Sequence, residues 1–199
     1  MNRAKEYDLW IRFKGGDDNA LSALYSLYVN QLYSYGLKIS RDEPIVKDCV
    51  QEVFLNLVDK RKVLLISEKT HLYLFKSLRN KIIEEARSHM RKKKIEESLV
   101  GDNLNSQWLN AEELIVSSEE ENFQKKIITS AMEGLSEHER EAIFLKYSED
   151  LSYDDIAIVL DIDIASVRTL MYRTLKKIKE NIKKKRVFFF SLFSNTRSN

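Results

Sequence analysis

The 199-residue sequence predicts an all-α protein of two small helical domains joined by an acidic linker, the C-terminal one a helix-turn-helix. Three observations predict it. Only 5 Gly and 1 Pro are present, too few to turn a β-rich chain as often as it needs. Apolar residues recur at steps of three or four over most of the length. The one long break, GDNLNSQ within 95–110, has turn-forming composition and separates a helical region ending near 94 from one beginning near 111.

The first helix, over about 2–14, carries Leu9, Trp10 and Phe13 on one side. Gly15-Gly16 ends it and Asp17 is placed to cap the next. That second helix, about 19–38, shows Leu21, Leu24, Tyr25, Tyr28, Leu32, Tyr35 and Ile39 at helical spacing. Pro44 marks the start of a third, about 45–60, with Val46, Cys49, Val50, Val53, Phe54 and Leu57 inward. Residues 61–69 break the pattern and read as a loop. A fourth helix, about 70–94, buries Leu74, Phe75, Leu78 and Ile82 and leaves Lys76, Arg79, Asn80, Lys81 and Arg87 outward.

The C-terminal half starts with a helix over about 111–133. Ser136 and Glu139 then form a capping box for a helix with Ala142, Ile143, Leu145 and Tyr147 inward. Ser152 and Asp155 start the next, with Ile156, Ala157, Val159 and Leu160 inward. Asp161-Ile162 is the turn, and Asp163 caps a longer helix whose inward positions are Val167, Leu170 or Met171, Leu175 and Ile178. Residues 187–199 form an apolar tail, VFFFSLF followed by polar residues, too short to span a bilayer. It reads as folding back on its domain or as a partner contact.

Composition narrows the chemistry. Cys49 is the single cysteine, which excludes an intramolecular disulfide, and it reads as a small core residue. With no secretory signal, the expected location is the cytoplasm. His71, His89 and His138 are scattered, with no metal-ligand cluster, Gly-rich phosphate loop or nucleophile constellation, so neither a metal, a cofactor, a small-molecule substrate nor an enzymatic activity is expected.

A net charge of +2 conceals a strong pattern. Residues 71–94 carry 8 basic and 2 acidic side chains, and 165–186 carry 9 basic and 1 acidic; between them, 95–124 hold 8 acids and no base. Two basic helices set apart by an acidic stretch point to two contacts with a polyanion. In the last helix Ser166, Arg168, Thr169, Tyr172, Arg173 and Lys176 fall on the outward face. Arg, Ser and Thr read base edges in a major groove, while Lys and Arg further along hold phosphates and fix register.

These residues resemble the promoter-recognition domain of the bacterial sigma-70 family, in its small two-domain extracytoplasmic-function (ECF) group. The pattern L-S-x-x-E-R-E-x-I-F stands at Leu135–Phe144, Y-x-x-x-L-S-Y-x-x-I-A at Tyr147–Ala157, and V-R-T at Val167–Thr169. The N-terminal half resembles the same family in GDDNALSALYSLY (16–28), KDCVQEVFLNL (47–57) and YLFKSLRNKIIEEAR (73–87). The resemblance implies a sigma factor, which binds core RNA polymerase, directs it to promoters and helps melt DNA without covalent chemistry. It implies polymerase docking through Asp48, Gln51, Glu52 and Leu55. It places the melted −10 strand along the fourth helix, near Arg79 and Asn80 with Lys76 and Arg87 on phosphates, and a base pocket in loop 61–69. The −35 duplex falls to Ser166, Arg168, Thr169, Tyr172, Arg173 and Lys176.

The resemblance also implies an anti-sigma factor as a partner, able to hold the protein near the inner membrane. It gives the acidic linker two readings, a mimic of RNA charge in a polymerase channel or a flexible tether. The domains implied are 1–94, for core polymerase and the −10 element; 95–110, the linker; 111–186, for the −35 element; and 187–199, the tail. Asp161 stands where the family has Gly, and Glu137 where it often has Pro. The rival reading is a stand-alone helix-turn-helix regulator with an N-terminal sensor or dimerisation domain.

Overall fold

A computed structural model describes residues 3–67, 69–97, 131–132 and 134–195. Among them are seven helices: α1 (Arg3–Lys14), α2 (Asp18–Ile39), α3 (Glu43–Asp59), α4 (His71–Glu97), α5 (Glu137–Tyr147), α6 (Tyr153–Leu160) and α7 (Ile164–Asn195). The linker expected at 95–110 and the helix expected at 111–133 lie almost wholly outside the described residues, except that α4 continues through Glu97, three residues past the expected end.

Local chemistry sets the boundaries. Gly16 turns the chain at φ 99°, a conformation a side chain resists, and frees Asp17 to accept from the amides of Asn19 and Ala20. Asp42 caps α3 through Ile45 N–H, with Pro44 in the first turn where no donor is missed. Both capping boxes form, Ser136 with Glu139 and Ser152 with Asp155.

The N-terminal half packs α2, α3 and α4 around Leu24, Leu32, Val46, Val53, Leu57, Phe75, Leu78 and Ile82, with Trp10 and Phe13 of α1 closing one side. Gly36 lets α3 and α4 approach α2: a Cβ there would lie 2.5 Å from Val46 Cγ1 and 3.3 Å from Ile82 Cδ1. In the C-terminal half, α5 and α6 pack on α7 around Leu145, Val159, Leu160, Val167 and Met171.

Three inward assignments change. Tyr147 and Tyr25 are exposed, and the deep position on α7 is Thr174 rather than Leu175. The Thr174 hydroxyl donates to Leu170 C=O within its own helix, so burial leaves it satisfied. Of the two open alternatives, Met171 is the buried one and Leu170 only partly so. Backbone helix continues past the expected limit at 186 to Asn195; the packing of the tail side chains lies outside the described residues.

The two halves meet directly. α5 packs against α2, and α6 against α4. The ring of Phe144 stacks on that of Tyr35 at 6.0 Å, and Lys38 Nζ sits 5.7 Å above Phe144. Among the described residues no helix is long and apolar enough to cross a membrane.

Candidate polymerase and nucleic-acid interfaces

Three surfaces contain the residues singled out by sequence. The first is the outer face of α3, where burying Val46, Cys49, Val50, Val53 and Leu57 forces the opposite side outward. Asp48, Gln51 and Leu55 are exposed there, Leu55 by 58%, while Glu52 is partly covered. Lys81 Nζ of α4 lies 2.6 Å from Glu52 and holds that carboxylate in place. Beside them a concavity lined by Tyr25, Val29, Tyr33 and Gln51 opens onto the same side. Polar groups, an exposed leucine and a hollow thus share one side of α3. Cys49 is buried beneath it, and burial pushes its thiol up to about 11, which leaves it protonated and unreactive at neutral pH.

The second surface is α4 with the loop before it. Thr70 Oγ1 accepts from Ser67 N–H and donates to Ser67 C=O, both at 2.7 Å, and Lys14 Nζ donates to Leu64 C=O at 2.8 Å. With Leu64 buried, its neighbours Val63 and Leu65 are thrown outward, 75% and 86% exposed. Asn80 and Arg87 are exposed as expected. Arg79 is not. Its side chain is only 12% exposed, and its Nε donates to Glu141 Oε1 of α5 at 2.9 Å. Tyr35 O–H donates to the same oxygen at 2.6 Å. Lys76 Nζ is likewise engaged, 2.6 Å from Asp161 Oδ1.

Glu141 was missed by sequence reading. Its residue is 3% exposed, on the α5 face that also buries Ala142 and Leu145. A carboxylate four residues before a core leucine on an apolar stripe calls for a buried partner, and that was the available signal. Breaking such a pair from one side costs about 3–5 kcal/mol because the other charge is stranded.

The third surface is the start of α7. Val167, Met171 and Thr174 face the core, so Ser166, Arg168, Thr169, Tyr172, Arg173 and Lys176 share the exposed side, with Tyr172 71% exposed. Asp163 caps the helix by accepting from Ser166 N–H at 2.8 Å and Ser166 O–H at 2.6 Å, and Thr169 O–H donates to Ala165 C=O. Asp161 makes the turn in the left-handed region, φ 58° and ψ 45°. Lys177 Nζ ties α7 back to the capping Glu139 at 2.9 Å. The result is a rigid, basic helix face with one aromatic ring, presented clear of its own domain.

Comparison with known proteins decides the family. The Sigma-70 region 2 profile matches residues 24–92 and the Sigma-70 region 4 profile residues 125–178, together more than half of the chain. The chain belongs to the sigma-70 family. Relatives place it in the ECF group: it is 26% identical to the ECF RNA polymerase sigma factor SigM of Bacillus subtilis over 163 residues, covering 80% of this chain and 93% of that one. SigW of the same organism is 24% identical over 182 residues, covering 85% and 92%. Among solved structures, CnrH in complex with the cytosolic domain of CnrY superposes with a TM-score of 0.62 at 16% identity, covering 90% of this chain and 97% of that one. The sigma factor RpoE of Bartonella quintana, solved with the anti-sigma factor NepR, gives 0.59 at 23%, covering 81% and 96%. This chain is therefore an ECF sigma factor, which engages core RNA polymerase and promoter DNA to initiate transcription. The stand-alone regulator falls away, because region 2 occupies the half it would need as a sensor.

Charge placement gives this sigma factor a defined acid response. Asp155 is held below its ordinary 3.8: burial opposes ionisation, but bonds from Lys69 and Ser152 outweigh it. Glu139 is held below 4.5, with burial again outweighed, here by Lys177 and the Ser136 amide. Asp17 is lowered by Arg12 and Asp163 by Ser166. A lowered carboxylate stabilises the fold above its ordinary value and loses that contribution as pH falls through the folded one. Glu149, raised by burial, acts oppositely and offsets part of the loss. The thermal midpoint is therefore expected to be flat from pH 7 to 5 and to drop below about pH 4.5, measurable by circular dichroism.

Proposed function

We propose that the three surfaces divide the work of initiation. Asp48, Gln51, Glu52 and Leu55 on α3 dock on core polymerase. Lys76, Arg79, Asn80 and Arg87 on α4 follow the melted −10 strand, and Val63 and Leu65 on the preceding loop supply apolar surface for an unstacked base. Ser166, Arg168, Thr169, Tyr172, Arg173 and Lys176 on α7 read the −35 duplex. The domains follow as 1–94, 95–110, 111–186 and 187–199, with the first helical unit reaching Glu97. The observation that carries this reading is the separation of the faces: the protein-docking side of α3 and the basic side of α7 are exposed on different elements, so each is free for its own partner.

CnrH and the Bartonella RpoE were each solved with a second protein, NepR being an anti-sigma factor. An anti-sigma factor is accordingly a partner class for this chain, and anchorage of that partner would bring it to the inner membrane. The chain itself works in the cytoplasm and performs no covalent chemistry.

The test separates docking from DNA reading. Asp48→Lys combined with Leu55→Asp reverses a charge and buries another against an apolar site, so affinity for core polymerase is expected to fall at least tenfold. Binding to −35 duplex by the free chain should not change. Unaltered polymerase affinity in a pull-down or interferometry assay would remove α3 from the docking face.

A further inference from the structure

Helix α7 changes character along its length. It runs unbroken over 32 residues, Ile164–Asn195, and is therefore about 48 Å long. Its first half is amphipathic around the axis: Val167, Met171 and Thr174 are buried on one side, while Arg168, Tyr172 and Arg173 are exposed on the other. Ile178 and Ile182 continue the covered side only in part, and Asn181 Nδ2 donates to Ala131 C=O at 2.9 Å. Beyond that point the pattern turns. Lys183, Lys184, Lys185 and Arg186 follow one another, then Val187, Phe188, Phe189 and Phe190. Successive helix positions are about 100° apart, so each set of four positions goes most of the way round the axis. Lys183 and Lys184 are exposed. Leu192 and Phe193 prolong the apolar stretch, and residues 181–195 contain no acid.

Polarity here is arranged along the axis rather than around it, and that distinguishes the occupants such a helix end can have. A helix seated on its own domain shows an apolar stripe with polar residues opposite, as the first half of α7 does. A coiled coil with a second copy needs a narrow apolar seam between charged flanks. Phosphates of DNA would accept the four cations and offer nothing to four phenylalanines. A cationic collar followed by an aromatic tip fits a planar boundary crossed end-on, with anionic headgroups at the collar and acyl chains at the tip. The length agrees. Residues 187–195 rise about 13 Å, enough to pass the headgroups and less than half of the roughly 30 Å hydrocarbon core.

We infer that residues 183–193 form a membrane-surface anchor, which inserts the tip of α7 into a bilayer rich in anionic lipid. The chain thereby reaches the membrane by itself, without another protein to hold it there. DNA reading and lipid binding are served by separate stretches of one helix: Lys176, the last of the residues assigned to the −35 duplex, lies about 16 Å before Val187 along the axis.

The test is co-flotation of the full chain with vesicles of phosphatidylglycerol and phosphatidylcholine in equal parts, against vesicles of phosphatidylcholine alone. The parent should bind the anionic vesicles at least tenfold more tightly, and added salt should narrow that difference. Phe189→Ser with Phe193→Ser should lower binding to the anionic vesicles at least tenfold. Lys183→Gln, Lys184→Gln, Lys185→Gln and Arg186→Gln together should remove the preference for anionic lipid. The phenylalanine variant should keep the parent's affinity for −35 duplex and its urea midpoint. In a Cys49→Ala background, an environment-sensitive fluorophore on Leu192→Cys should shift to the blue with anionic vesicles, whereas one on exposed Lys179→Cys should not. No flotation of the parent, or equal flotation of the phenylalanine variant, overturns the anchor. A midpoint lowered by those two substitutions would show a tail packed on its own domain, and a dimer dissolved by them in sedimentation equilibrium would show a second copy as the occupant; either result overturns it as well. A blue shift at both labelled positions would mean adsorption along the helix and overturns insertion by the tip.

Discussion

Replacing Arg168 and Arg173 together with alanine is expected to abolish transcription from promoters that depend on a −35 element, while core polymerase binding stays intact. Both residues stand on the exposed side of α7. A bidentate Arg–guanine contact is worth about 1–3 kcal/mol of discrimination, so losing two costs on the order of a hundredfold or more in specific affinity. Arg168→Lys with Arg173→Lys should restore part of the non-specific affinity but little of the sequence preference, because lysine keeps the charge and loses the fork. Gel-shift titrations against matched and scrambled −35 duplex at one stated salt concentration decide it. Equal losses on both duplexes would show that these arginines hold phosphates only.

Phe75→Ala is expected to be the most damaging single truncation near the functional surfaces, at about 3–5 kcal/mol of stability. The ring is 2% exposed, packs edge-on to Tyr35 with centroids 5.3 Å apart, and lies one residue before Lys76. Its loss opens a cavity under α4 and loosens the floor beneath Tyr35, the residue that helps fix Glu141. Urea unfolding should show a midpoint shift of that size; Phe75→Leu, which keeps most of the volume, should lose markedly less. A loss below about 1 kcal/mol would mean that the site collapses around the gap.

Much of the fold was legible because it follows from local rules. The Ser136 and Ser152 boxes, the Asp17 and Asp163 caps and the apolar stripes of α3, α4 and α6 each depend on residues close to one another along a single helix. The exposed side of α7 was legible for the same reason: once Val167 and Met171 are inward, periodicity sends Arg168 and Tyr172 outward. What sequence spacing could not show was the docking of one half on the other. Arg79 looks like an outward cation on α4, and is one until α5 arrives with Glu141, 62 residues later. Tyr35 reads as one more core tyrosine, yet its hydroxyl reaches across 106 positions. Tyr147 and Leu175 failed differently: each sits at the edge of an apolar stripe, where helix periodicity alone does not say whether a neighbour will cover it.

Asp161 serves two masters that disagree. As a turn residue it occupies backbone space where Gly is at ease and Asp merely tolerated. As a side chain it reaches Lys76, and that reach holds its carboxyl below the usual aspartate range. Substituting Gly would relieve the turn and remove the reach in one stroke. The helix-turn-helix would then hold together at least as well while the whole molecule held together less well. Stability of the turn and attachment of one half to the other would then part company.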